Sequence, residues 1–101
     1  MKDIIEEIYL CCIYTDEYLM EGSKRIRKYG GEDEVKRMEN YMWKMYEAYD
    51  RMYARFMPVY EGTPVDEDTL TEMLVDANIV CNRAYLVYEI GTAFLADVLE
   101  E

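Results

Sequence analysis

The sequence predicts an all-α protein, an antiparallel up-down-up bundle of three long, heptad-patterned helices in a single domain over residues 1–101. Apolar residues recur at alternating steps of three and four along nearly the whole chain, which is the spacing of a helix with one buried stripe. Two short breaks, "YGG" and "EGTP", divide that pattern into three runs, and connections this short make neighbouring helices antiparallel. No stretch alternates apolar and polar residues with period two for long enough to build a strand.

The first run is Ile5, Ile8, Cys12, Thr15, Leu19, Gly22, Ile26 and Tyr29, and it predicts a helix over about 3–29. Lys24, Arg25, Arg27 and Lys28 fall in its last turns, where cations offset the negative end of the helix dipole. Gly22 weakens this helix by about 1 kcal/mol relative to alanine. A break at "EGS" is the rival reading, but the register carries through it and predicts continuity. The second run, Val35, Met38, Met42, Met45, Tyr49, Met52 and Phe56, predicts a helix over 32–57. Gly30 and Gly31 precede it, Glu32, Asp33 and Glu34 occupy its positive end, and Pro58 is expected to stop it. The third begins from Thr63-Pro64 with Asp66, Glu67 and Asp68 in the first turn, and runs through Leu70, Met73, Ala77, Val80, Ala84, Val87, Gly91, Phe94 and Val98. That predicts a helix over about 65–99, roughly 50 Å long at 1.5 Å per residue. Its small residues Ala77, Ala84 and Gly91 share one stripe and let a neighbouring backbone approach closely.

Composition bounds function before any site is considered. With 51% hydrophobic against 33% charged residues, the chain has enough apolar material to fold despite a net charge of -11. No apolar run reaches the roughly 18 residues of a membrane span, and "MKDIIEEIYLCCIY" places acids where a signal peptide needs an apolar core. A cytoplasmic protein is expected, with Cys11, Cys12 and Cys81 as reduced, packed thiols, since an odd set with two adjacent members is no disulfide framework. The acidity argues against nucleic acid or an anionic membrane as a direct ligand and favours a protein partner with a basic surface.

Two sets of apolar side chains exceed what the heptads absorb. Met38, Met42, Met45 and Met52 of the second helix occupy core positions, but Trp43, Tyr46, Tyr53, Met57 and Tyr60 form a stripe beside the seam, rich in the side chains that dominate binding hot spots. On the third helix Ile79, Leu86, Ile90 and Ala93 widen the apolar arc to about 200°, where a surface helix shows little more than 100°. Either that helix is central, or part of it meets a second copy in a homodimer.

Charge is polarised along the bundle. Glu61, Asp66, Glu67, Asp68 and Glu72 gather near the second connection, where they cap helices or steer a basic partner. Carboxylates on neighbouring helical turns stand about 5–6 Å apart, a spacing comparable with phosphates on a nucleic-acid strand.

Catalytic equipment is sparse. The chain has no His, which removes Ser/His and Cys/His pairs and the His-containing metal motifs, and "YGGED" is not a phosphate loop. Counted from the helix starts, Cys81 stands about 12 Å above Cys11, too far for a shared metal. No cofactor and no metal is expected. Arg55 and Arg83 are expected to pair with acids, Asp76 or Glu89 for the latter. The reading that follows is a non-enzymatic, acidic interaction module, for example a phage-type anti-defence inhibitor or an adaptor of a nucleic-acid-binding protein. The alternatives are a homo-oligomeric structural bundle and a Mg²⁺-dependent all-α hydrolase of a phosphorylated small molecule, for which Asp68, Glu72 and Asp76 lie at i, i+4 spacing.

Overall fold

A computed structural model describes residues 2–100. Its helices are α1 (Lys2–Tyr29), α2 (Glu32–Tyr60) and α3 (Glu67–Glu100), packed as a helical bundle with no strand among the described residues.

Each heptad run supplies the buried stripe of its helix. One core cluster gathers Ile8 and Cys12 of α1, Phe56 and Val59 of α2, and Leu70, Met73 and Ala77 of α3. The other gathers Leu19 and Ile26, Met42 and Met45, and Ala84 and Val87. Withdrawing each large aliphatic or aromatic side chain from water stabilises by roughly 1.5–3 kcal/mol before the entropy of ordering is subtracted.

Two helix ends depart from expectation. Pro58 does not stop α2, which continues to Tyr60. A proline forfeits one backbone donor, but here the loss falls in the final turn, where Phe56 and Val59 are buried. That end is then closed by Glu61 N–H to Met57 C=O at 2.9 Å and Thr63 N–H to Pro58 C=O at 2.9 Å. α3 starts after Asp66 rather than after Thr63. The Asp66 carboxylate accepts from Thr69 N–H at 2.7 Å, while its carbonyl accepts from Leu70 N–H at 3.0 Å. Those two bonds make Asp66 the N-cap, and hydrogen bonding from Thr69 to its carboxylate holds that group below the usual carboxylate range. Between these ends Gly62 takes φ of +115°, a value that residues with a Cβ rarely adopt.

α1 is one unbroken helix, and Gly22 is the reason α3 can lie so close to it. A Cβ built at Gly22 would stand 2.7 Å from the backbone nitrogen of Tyr88 and from the Val87 carbonyl. A Cβ at Gly91 would stand 2.7 Å from the Gly22 oxygen. The small stripe therefore brings two backbones into contact, with Ala77 and Ala84 wholly buried along the same line.

This contact also sets the register of α1 against α3. Cys11 reaches Asn78 and Arg25 reaches Thr92, each pair separated by 67 residues in sequence. Cys81 consequently stands about one helical turn from Cys11, not the 12 Å that counting from the helix starts gives. α2 is held less fully: only Met42, Met45, Phe56 and Val59 are buried on it, against seven residues of α1 and six of α3.

Candidate functional site

The expected aromatic stripe of α2 lies along its seam with α1. Tyr60 stacks on Tyr9 of α1, ring centroids 4.7 Å apart and planes 7° from parallel. Tyr53 leans on Tyr49 at 5.9 Å, and Met57 is half-buried. Tyr46 is half-buried and lines a shallow depression with Met20, Ser23, Lys24 and Arg27 of α1. Trp43 stands out at 66% exposure, its ring beside Arg27, Lys36 and Glu39. The seam thus has two characters, an aromatic stack toward the acidic connection and an exposed indole among cations at the other end.

Tyr9 is absent from the sequence reading of this seam. The signal was available, because Tyr9 follows the core residue Ile8 on the flank of α1 that also carries Asp16 and Ser23.

Glu61, Asp66, Glu67, Asp68 and Glu72 are all exposed at the α2–α3 connection. Of these, Asp66 already serves as the cap of α3. On α3, Ile79 and Leu86 remain 43% and 50% exposed and Ala93 is exposed, whereas Ile90 is half-buried against the second core cluster.

Between α2 and α3 runs a groove of about 560 Å³ whose floor reaches Ile8 of α1. Met52, Phe56, Met73 and Val80 line its depth, and Arg51, Arg55 and Arg83 line its walls. Arg55 and Arg83 are both expected from sequence to pair with acids. Only the first is paired: Arg55 reaches Asp76 at 3.6 Å, both side chains more than half exposed, the one ion pair among the described residues. Arg83 makes no ion pair among the described residues and lines the groove wall, while its backbone carbonyl accepts from the Tyr41 hydroxyl at 3.4 Å. Arg51 was not singled out from the sequence, although it lies one helical turn from Arg55.

On the opposite flank, α1 and α3 share a tyrosine cluster. Tyr18 meets Tyr85 edge-on at 5.1 Å and Tyr88 at 5.5 Å, and the Arg25 guanidinium lies 5.1 Å over the Tyr88 ring. Beside it sit the three thiols. Burial pushes Cys12 up to about 11, with Cys11 and Cys81 adding to the rise, and burial raises Cys11 likewise. Cys11 and Cys12 therefore stay protonated at neutral pH and are poor nucleophiles and metal ligands. Among the described residues no group of three or more Cys, Asp or Glu side chains is placed to hold a metal ion. No helix among them is long and apolar enough to cross a membrane.

Comparison with protein-family models, with curated proteins and with solved structures finds no match to this chain.

Proposed function

We propose that the chain is a cytoplasmic, non-enzymatic interaction module, an inhibitor or adaptor that docks on the basic surface of another protein, such as one that binds nucleic acid. Contact would be made by the α1–α2 seam through Trp43, Tyr46, Tyr53, Met57 and Tyr60, with Glu61, Glu67, Asp68 and Glu72 steering the approach. The helices are read as running up, down and up. The first core cluster supports this, because it joins the early part of α1, the end of α2 and the start of α3.

The observation that carries the function is that the seam stays open after both cores have closed. Trp43, Tyr53 and Tyr60 keep 66%, 43% and 46% exposure. Large aromatic rings left in water cost solvation free energy unless another surface covers them, and Trp and Tyr are the residues that bind most strongly when covered. Acids following directly on Tyr60 place complementary charge beside the stack, where it accelerates encounter more than it tightens the complex.

Affinity capture from the host proteome, with the wild-type chain and with Trp43→Ala/Tyr53→Ala, tests this. The expected result is a basic protein retained by the wild type and lost by the variant at unchanged helicity. Equal capture by both chains would overturn the assignment of the seam. Because Ile79 and Leu86 are also exposed, a self-associating bundle is the second reading. The hydrolase reading has no comparable support, since Asp76 is engaged by Arg55 and the acids of α3 are not gathered into a site.

A further inference from the structure

The α2–α3 groove reverses the sign of the molecule around it. In a chain of net charge -11, it concentrates Arg51, Arg55 and Arg83 over an apolar floor, with Asp76 as the single acid in its lining. An occupant that satisfies it must bring apolar side chains for the floor and carboxylates for both walls, which is the description of an acidic amphipathic helix laid into a groove.

That helix face exists on the same chain. α1 turns its heptad stripe inward, and its outer face carries Leu10, Ile13 and Tyr14 at 48%, 37% and 47% exposure. Glu6 stands one turn before this knob and Glu17 one turn after it, both exposed and on the same side of the helix. The two glutamates are about 16 Å apart along the axis, and the α3 wall from Met73 to Arg83 measures about 15 Å on the same rise per residue. The groove wall is thus about as long as the interval between the two glutamates.

We infer that the groove receives the outer face of α1 from a second copy of this chain, Leu10, Ile13 and Tyr14 entering over Met52 and Ile79 while Glu6 and Glu17 meet the arginines. The groove floor touches the inner side of α1 through Ile8, so the two contact faces lie on opposite sides of one protomer. Unlike faces on opposite sides of a protomer cannot both meet the same partner copy, so a two-fold axis does not close this contact. It leaves a free knob on one copy and a free groove on the other, and assembly continues head to tail. The residues involved are distinct from the aromatic seam, so this inference stands or falls separately from the docking role given to that seam, and it gives the self-associating reading a specific contact.

Two charge-reversing variants of the full chain test it. Leu10→Lys/Glu17→Lys removes the knob and keeps the groove, and Ile79→Glu/Arg83→Glu does the reverse; all four positions are exposed, and circular dichroism checks that both variants stay helical. Sedimentation equilibrium on the wild type is expected to show a mass that climbs with concentration past two copies, as an open filament or a ring of three or more. Each variant alone is expected to remain monomeric, and their equimolar mixture to form a one-to-one heterodimer that grows no further. A wild type that is monomeric throughout, or that closes at two copies, overturns the proposal, as does a mixture in which the variants ignore each other.

Discussion

At the scale of single residues, Gly22 shows how one sequence feature carries opposite energetic signs. Judged by helix propensity alone, replacing a mid-helix glycine by alanine stabilises by about 1 kcal/mol. At Gly22 the added methyl would meet the backbone of Val87 and Tyr88 at 2.7 Å, and backbone cannot swing aside as a side chain does. Gly22→Ala is therefore expected to destabilise, by about 1–3 kcal/mol net, as overpacking outweighs propensity. Urea unfolding measures it; a midpoint at or above that of the wild type would mean that α1 and α3 separate at no cost. Asp66 offers a second test, through pH. Its carboxyl titrates below its ordinary value in the folded chain because two bonds from Thr69 favour the charged form. The stabilisation is thus fully present above the unfolded-state value and is lost as pH falls through the depressed folded value. Thermal melts of wild type and Asp66→Ala should differ at neutral pH and converge toward the acid end, and a gap that persisted in acid would refute the cap. The small stripe of Ala77, Ala84 and Gly91 was legible in the sequence as a place of close approach. That Gly22 was its counterpart was not, because a lone glycine in a helix reads first as a weakness.

At the scale of elements, the number and order of helices follow from the heptad runs, and only the ends needed correction. Pro58 and Thr63 are strong local signals that lost to local context, the first because its missing donor falls in a final turn already anchored by Phe56 and Val59. The second lost because Asp66 caps better from three residues further on. What a heptad cannot convey is how tightly each helix is held. α1 and α3 touch backbone to backbone, whereas α2 buries four residues and stands off from α3 across the groove. Amide hydrogen exchange is expected to follow that difference, with α2 exchanging faster than α1 and α3 by local opening. Uniform protection over the three helices would show that α2 unfolds only with the whole. The same limitation explains the thiols. Counting from the helix starts separates Cys11 from Cys81, while their true level is set by the glycine contact further along.

At the scale of the whole molecule, total charge is legible from composition alone and the arrangement of that charge only in part. The acidic connection was visible as a run, Glu61 to Glu72, because neighbours in sequence are neighbours on the surface. The arginine groove was not, since Arg51 and Arg55 meet Arg83 only once α2 is placed against α3. Surfaces made by one helix can be read from periodicity, and surfaces made by two require their packing. For the same reason the stripe of Trp43 to Tyr60 was foreseen on α2, while the Tyr9 ring that completes it on α1 was missed.

The bundle measures 53 × 22 × 18 Å, with a radius of gyration of 15.7 Å where a spherical chain of this length would have about 13 Å. A rod of these proportions drags more than a ball of the same mass, and a gel-filtration column sorts by drag. One copy will travel through such a column as though it were considerably heavier than 12.1 kDa. Elution volume therefore reports the length of this molecule, and only scattering or sedimentation equilibrium reports how many copies are present.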